Sequence, residues 1–471
     1  MALNFKMGTT SKNIAIVFSN NVISLLRGVL VSLLIPRFLS VEGYADYKLF
    51  TLYASYMGLL HFGFVDGICV KCAGKSIKEI GEARIRLYTR LLMGLELICS
   101  VLLLCIICIP IFSAYKNILF FLAIDIFIHN MTSYFNSLFQ ISMQFKKYTA
   151  VGIAMNLFQI LSVAFLFIAY QHNCATSTLY ISLFVTCELF SLGLCFLLEP
   201  KAIFGKTEKV KNQKDEIIEI FFKGIPLLVS GIISTLVLNM DRQFVSVLFT
   251  KIDYAIYSFA YTIMSLLTTL ISSVSIVLYP ALKRSGAERM SANYNKLCDS
   301  VVVLVFAVLI GVLPLCRFVR WILPAYERSL SILVCVFPSI VMISLLQIVM
   351  VNYYKATEQT SQYFRISILA LGLSFILNLL FYQAFHNMFA ISIATVISCF
   401  LWFMVCNDSI SKLLNIKSKN ILWYVTYMLL AYYIAYFGLF SQTDIRGMTL
   451  YGVLFCIGTV FFVRIEKRKL N

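Results

Sequence analysis

Apolar runs of about 18 to 25 residues recur along the chain, each long enough to cross about 30 Å of hydrocarbon as a helix, with short polar turns between them. Fourteen such spans are predicted. The first, NIAIVFSNNVISLLRGVLVSLLI, carries one arginine near its middle. Asn20, Ser24 and Arg27 stand at i, i+4 and i+7 and so project from one helical face. A guanidinium at the depth of lipid tails costs several kcal/mol unless a polar cavity, a counter-ion or a ligand receives it. This stripe is therefore expected to face protein or water and to line a cavity.

The next spans add a second set of polar groups. Span two, Leu49 to Val70, ends in HFGFVDGICVKCAGK with Asp66 about one turn inside the cytoplasmic boundary. Asp66 is read either as a snorkelling or Lys71-paired carboxylate, or as part of a gate or coupling-ion site. Span three, Leu87 to Phe112, holds Glu96. In span four, Ile118 to Met143, the residues Asp125, His129, Thr132, Asn136 and Gln140 form one stripe. It serves either as interhelical hydrogen-bonding glue or as a wetted wall of the same cavity. Span five covers Ala150 to Tyr170. In span six, Leu179 to Leu198, Glu188 lies too deep to snorkel; Arg27 and His129 are its available partners, and it is a candidate for proton coupling.

A lysine-rich connection, EPKAIFGKTEKVKNQKDEIIEIFFK, follows and reads as a linker on the inner membrane surface. Span seven, in GIPLLVSGIISTLVLNMDRQFVSVLF, closes near the outer face with Asp241, a further coupling candidate, and Arg242, a further candidate for binding an anionic head group. Tyr-Ala-x-Tyr at Tyr44 to Tyr47 recurs at Tyr254 to Tyr257, 210 residues on, which suggests two six-span halves of the same orientation. Span eight, Ile256 to Pro280, is expected to end at LYPALKR, with Lys283, Arg284 and Arg289 at its inner end. Spans nine to twelve cover Val301 to Trp321, Ser329 to Tyr353, Ile366 to Phe385 and Met388 to Cys406. Arg317, Arg320 and Arg328 lie outside, as anchors to lipid phosphates or as a landing site for an anionic head group. Spans thirteen and fourteen, Leu422 to Phe440 and Thr449 to Val463, form an appended hairpin with a basic tail, dispensable for the core mechanism. The expected domains are thus 1–198, a basic cytoplasmic linker 199–223, 224–411, and the hairpin with its tail at 412–471.

Composition agrees with this class. Sixty per cent of the 471 residues are hydrophobic and 13 % charged, with a mean hydropathy of +0.87, which is more apolar than a soluble core requires. The net charge of +17 raises the question of a polyanionic partner. With the N-terminus inside, most of the 39 Lys and Arg fall on the cytoplasmic side, a bias that the positive-inside rule explains without nucleic acid. Both termini are expected to be cytoplasmic, and MALNFKMGTTSK leads into a full span that stays as an uncleaved anchor. Fourteen cysteines are present, nearly all within spans. The CxxC pairs Cys69/Cys72 and Cys105/Cys108 lack a second pair or a nearby histidine, so no metal site and no cofactor is expected. Coupling to protons or sodium ions stays open.

The order and spacing of LLIPRFLSVEGYADYKLF, HFGFVDGICVKCAGK, GIPLLVSGIIS, MDR, IDYAIYSFA, VLYPALKR and ILPAYERSLSIL over Asn13 to Lys419 resemble the bacterial polysaccharide flippases of the multidrug/oligosaccharidyl-lipid/polysaccharide (MOP) exporter superfamily, in particular the Wzx-type O-antigen flippases. The resemblance implies an all-α polytopic protein of the bacterial inner membrane, with two six-helix lobes in a V and a central cavity open to one side at a time. It implies undecaprenyl-diphosphate-linked oligosaccharide as cargo, membrane lipids as surroundings, and a polysaccharide polymerase and chain-length regulator as partners. It also implies that a cationic group in the first span contributes to lumen selectivity, a role that maps to Arg27. The alternatives are an ion-coupled multidrug exporter or a peptidoglycan lipid-precursor flippase of the same superfamily and, from a different class, a membrane-embedded polymerase or glycosyltransferase. The outer loops are short for such an enzyme, and no P-loop is present.

Overall fold

In the computed structural model the regular elements are helical, and they fall into two units, residues 1–235 and 236–471. The structure describes the backbone of residues 7–72, 75–416, 419–439 and 444–470, and the side chains within these ranges except those at 7–19, 21–22, 111–112, 114, 269–289, 419 and 465–470. The start of MALNFKMGTTSK, Lys417, and the side chains of Lys283, Arg284, Arg289 and the end of the basic tail lie outside the described residues. Among the described residues, eleven helices are long and apolar enough to cross a membrane. The chain is an all-α, multi-pass membrane protein.

The first unit contains α1 (Met7–Phe38), α2 (Val41–Ala54), α3 (Phe64–Cys72), α4 (Ile77–Ile80), α5 (Glu82–Ile107), α6 (Lys116–Ile141), α7 (Phe145–Gln171) and α8 (Ser177–Leu198). It also takes in the first part of α9 (Lys214–Leu248), inside which the boundary falls. Helix α6 is the hub, packed on α2, α5, α7 and α8. It buries Tyr134, Phe135, Leu138 and Phe139 on its apolar side. Helix α5, by contrast, turns Leu97, Ile98, Val101 and Leu102 outward, as a lipid-facing helix must.

The second predicted span is corrected by the structure: it is not one helix. After α2 the chain forms a 3-10 turn at Met57–His61, then Phe62 and Gly63 take left-handed conformations (φ 48° and 79°) before α3 begins. A break at membrane depth is tolerated only where neighbours satisfy the freed backbone groups. Asn130 Nδ2 donates to the Met57 carbonyl at 3.0 Å, and His61 Nδ1 accepts from the Gly63 amide at 3.2 Å. Gly63 and Gly67 also permit backbone contact with α9. A Cβ on Gly67 would stand 1.9 Å from the Ile220 carbonyl oxygen, and one on Gly224 would stand 1.8 Å from that of Gly63.

The second unit holds the rest of α9, α10 (Lys251–Val308), α11 (Val312–Ile322), α12 (Glu327–Val336), α13 (Ser339–Ser344), α14 (Val351–Ala356), α15 (Thr360–Phe385), α16 (Met388–Leu413), α17 (Lys419–Tyr433) and α18 (Ile445–Leu470). Two predicted spans differ here in helical continuity. The backbone of α10 continues as a helix through Pro280 for 58 residues, because a proline removes only one hydrogen bond and the residues after it are mostly good helix formers. The predicted tenth span is interrupted at Phe337–Pro338 and contains a π-helical stretch, Leu345–Met350. The last two helices are bound into this unit: Tyr432 and Tyr433 donate to the carbonyls of Val334 and Cys335, and Tyr451 to that of Phe306.

The internal repeat has a structural counterpart. Helix α1 ends at Phe38 and Ser40 caps α2 by accepting the Gly43 amide; α9 ends at Leu248 and Thr250 caps α10 by accepting the Asp253 amide. Each matched pair is 210 residues apart, and Tyr44, Ala45 and Tyr47, like Tyr254, Ala255 and Tyr257, are buried. A hydroxyl cap fixes the helix start, and the buried tyrosines fix which face turns inward.

Candidate functional site

The polar stripe of α1 meets a matching stripe on α7. Ser24 Oγ donates to Asn156 Oδ1 at 3.3 Å, and Asn156 Nδ2 donates to Asn20 Oδ1 at 3.2 Å. One turn further on, Arg27 Nη1 donates to Gln159 Oε1 in a short hydrogen bond. Arg27 Nε is buried without a partner among the described residues. Asn156, Gln159 and Ser162 recur every third residue along α7, with no charged residue among them to mark the stripe in the sequence.

Beside this seam lies a cavity of about 430 Å³ within the first unit. Asn20 and Ser24 line it from α1; His129, Thr132, Asn136 and Gln140 from α6; Gly152 and Asn156 from α7; Glu188 and Ser191 from α8. The α6 stripe therefore faces a polar cavity from its second member onward. Arg27 itself is not among the lining residues; it sits beyond Ser24 on the same face, half-buried and held by Gln159. Three polar atoms of the wall, Thr132 Oγ1, Asn136 Oδ1 and Ser191 Oγ, are buried without a hydrogen-bond partner among the described residues. A buried polar group left unpaired costs about 1–3 kcal/mol, so these atoms are open to hydrogen bonds from water or a ligand in the cavity.

The ionisable residues of this unit separate into pairs. Glu188 on α8 stands 3.3 Å from His129 Nδ1 on α6, so of its two expected partners it takes the histidine and not Arg27. Asp125, one turn before His129, is buried and interacts electrostatically with both. Glu96 is buried on α5 and accepts from Asn130 Nδ2 at 2.9 Å. Asp66 is not paired with Lys71: its carboxylate lies 3.9 Å from His61 Nε2. Lys71 instead reaches Glu219 at 2.7 Å and Glu216 at 3.3 Å on α9, because the helix break before α3 turns its last residues toward that helix.

In the second unit, Asp241 is engaged by its neighbours. It is buried and accepts hydrogen bonds from the hydroxyls of Tyr257, at 2.8 Å, and Tyr261. Helix α9 continues to Leu248, so an Asp-Arg pair that reads as a boundary lies within the helix. Arg242 folds back onto its own helix, donating to the Leu238 carbonyl and to Asn239 Oδ1, with its guanidinium 4.8 Å from the Tyr261 ring centre. The outer arginines are also partly engaged: Arg320 pairs with Glu327 at 3.0 Å and Arg328 with Asp253 at 3.4 Å. Among the described residues, no group of three or more His, Cys, Asp or Glu side chains is placed to hold a metal ion.

Comparison with solved structures places this fold. The chain is similar to the lipid II flippase MurJ in an inward closed conformation, with a TM-score of 0.67 and 14 % identity over 97 % of this chain and 99 % of that one. It is similar to an inward-facing multidrug resistance MATE family transporter of the MOP superfamily, with a TM-score of 0.61 and 14 % identity over 84 % and 95 %. A MOP superfamily transporter from Pyrococcus furiosus with a binding pocket of reversed polarity matches with a TM-score of 0.53 and 14 % identity over 86 % and 94 %. No curated protein matches the chain. The model of the polysaccharide biosynthesis protein family matches residues 10–285, more than half of the sequence. On the fold of the MOP superfamily transporters, the chain thus belongs to the polysaccharide biosynthesis protein family.

Proposed function

We propose that the chain carries an undecaprenyl-diphosphate-linked oligosaccharide, an O-antigen unit or a unit of a related surface polysaccharide, from the inner to the outer leaflet of the bacterial inner membrane by alternating access. The reading takes fourteen spans with both termini cytoplasmic. The observation that carries it is Arg27: a guanidinium on the cavity-facing stripe of α1 whose partner is a neutral amide, so its charge remains available to an anion. A planar guanidinium offers several donors to a diphosphate, which suits it better than the point charge of a lysine. The unpartnered hydroxyl and amide atoms of the cavity wall suit sugar hydroxyls, while the prenyl tail can stay in lipid. Asn20 and Ser24 complete the head-group set, with Asp125, His129 and Glu188 as the coupling set. An inside-negative potential favours outward passage of the diphosphate by about 2.3 kcal/mol per charge per 100 mV.

A multidrug exporter for cationic amphiphiles is the main competing reading. It is weakened because Glu188 pairs with His129 and leaves Arg27 unneutralised. The test is deletion of the gene in a surface-polysaccharide producer, followed by measurement of undecaprenyl-linked repeat units. Accumulation on the inner leaflet, reversed by the wild-type gene, supports the reading. Unchanged polysaccharide display with altered drug susceptibility supports the exporter instead.

A further inference from the structure

The connection between α8 and α9 segregates its charges. Its acids turn inward: Glu199 is buried and pairs with Lys147 at 2.7 Å, and Glu208 pairs with Arg84 at 3.5 Å. Its lysines turn outward. Lys206, Lys209, Lys211 and Lys214 are all exposed. The backbone between them is gripped from α5, where Arg86 donates to the carbonyls of Lys201 and Lys206, both at 2.8 Å, and Arg90 to that of Gly205 at 3.0 Å. Gly205 has φ 122° and a Cβ there would stand 3.2 Å from the Arg86 guanidinium, so only glycine suits the turn. The result is a fixed turn that presents Phe204 at 72 % exposure between the lysines.

The start of α9 gives the level of this turn. Lys214, Ile218 and Phe222 follow at intervals of four on one helical face, and Ile218 and Phe222 are exposed. On a membrane-crossing helix that apolar face lies against lipid, which puts Lys214 and the turn before it at the depth of the head groups.

We infer that the pinned turn from Lys201 to Lys214 is a docking site for acidic phospholipid of the inner leaflet, with Phe204 seated at the head-group boundary and Lys206, Lys209, Lys211 and Lys214 contacting the lipid phosphates. Charge complementarity selects this occupant. The turn displays four exposed lysines while its one acid, Glu208, is paired with Arg84 on α5, and the cytoplasmic leaflet carries a negative surface potential that attracts basic segments beside a span. An aromatic ring among lysines fits an interface that is charged on one side and apolar on the other. The docking is independent of the cargo assigned above.

The test uses the full chain in nanodiscs, with Phe204→Trp as a depth probe and the three native tryptophans measured in the parent protein for subtraction. Quenching by brominated acyl chains is compared in phosphatidylcholine alone and in phosphatidylcholine with phosphatidylglycerol. The expected result is quenching about threefold stronger in the discs with acidic lipid. Replacing Lys206, Lys209, Lys211 and Lys214 together by glutamine removes that difference, as does high salt, while arginine at all four positions keeps it. Equal quenching in both lipids, or a difference that survives the four glutamines, overturns the inference. So does an absence of quenching in both, as expected if water, a second copy of the chain or an acidic protein covers the turn.

Discussion

Arg27 on α1 gives a hydrogen bond to Gln159 on α7, so the guanidinium of the α1 stripe is oriented by a neutral side chain from the helix across the seam. A charged donor on an amide oxygen contributes about 1.5–3 kcal/mol and leaves the full positive charge in place. Arg27→Ala is expected to abolish transport of the lipid-linked repeat unit, and Arg27→Lys to leave a reduced rate. Gln159→Leu should lower the rate about tenfold by releasing the guanidinium from its position. Gln159→Glu is the sharper probe, because it places a carboxylate where the amide stood and neutralises the cation without changing its location. Flipping assays in vesicles, with thermal stability in detergent as the control for folding, decide it; full activity in Gln159→Glu removes Arg27 from anion recognition.

Asn156 joins α7 to α1 through both ends of its amide, to Ser24 and to Asn20. Interhelical hydrogen bonds in membrane proteins average about 0.6 kcal/mol each, so Asn156→Leu should cost about 1 kcal/mol of stability. The double variant Asn20→Leu/Asn156→Leu should cost less than the sum of the two single changes, because they remove the same contact. Additive losses in unfolding measurements reject the seam.

The α1 stripe was legible because its spacing of four and three is the helical period itself, and the α6 stripe for the same reason. Their partners were harder to read. Asn156 and Gln159 are uncharged residues in an apolar run, and only knowing that α7 packs on α1 gives them meaning. The break at Phe62 and Gly63 is invisible to hydropathy, since the residues on either side are as apolar as a straight span would be. The pairing of Lys71 with Glu216 and Glu219 spans about 145 residues of sequence and depends on that break. The role of Asp241 was hidden for a related reason: its donors, Tyr257 and Tyr261, lie on the next helix and nothing in the run around Asp241 announces them.

The α3–α9 crossing rests on the missing side chains of Gly67 and Gly224. An added methyl there meets backbone, which cannot rotate away, so Gly67→Ala and Gly224→Ala should each destabilise the protein by the 1–3 kcal/mol typical of overpacking or more. Gly94→Ala on α5 is the matched control, with no atom within 4 Å of the new Cβ. Thermal unfolding in detergent should separate the first two variants from the third; three equal melting temperatures contradict the close approach.

Asp241 accepts from the hydroxyls of the buried Tyr257 and the half-buried Tyr261, which makes it a structural acceptor in the second unit. Asp241→Asn keeps one acceptor oxygen and should be tolerated with a small loss of stability. Asp241→Leu leaves both donors unpaired and should cost about 1–3 kcal/mol for each hydroxyl that finds no other partner. Tyr257→Phe in the Asp241→Leu background should then recover part of the loss. Failure to recover any of it places the energetic role of Asp241 elsewhere.

Glu188 and His129 pair in the wall of the cavity that Asn20 and Ser24 line from α1, and Asp125 interacts electrostatically with both. From α1 and α7 the cavity receives Asn20, Ser24, Tyr148 and Asn156, none of them a carboxylate or an imidazole, so Glu188, His129 and Asp125 are the candidates to hold a proton or sodium ion exchanged at this wall. Glu188→Gln keeps the shape and hydrogen-bonding capacity of the side chain and removes its ability to change charge. The dependence of the transport rate on pH in vesicles should therefore change in Glu188→Gln, and in His129→Gln as well. If sodium is the coupling ion, Glu188→Gln should instead remove the dependence on the sodium gradient at constant pH. A variant that keeps both the wild-type pH profile and the wild-type sodium response shows that the Glu188–His129 pair only joins α8 to α6, and coupling would then have to be sought at other ionisable residues of the chain.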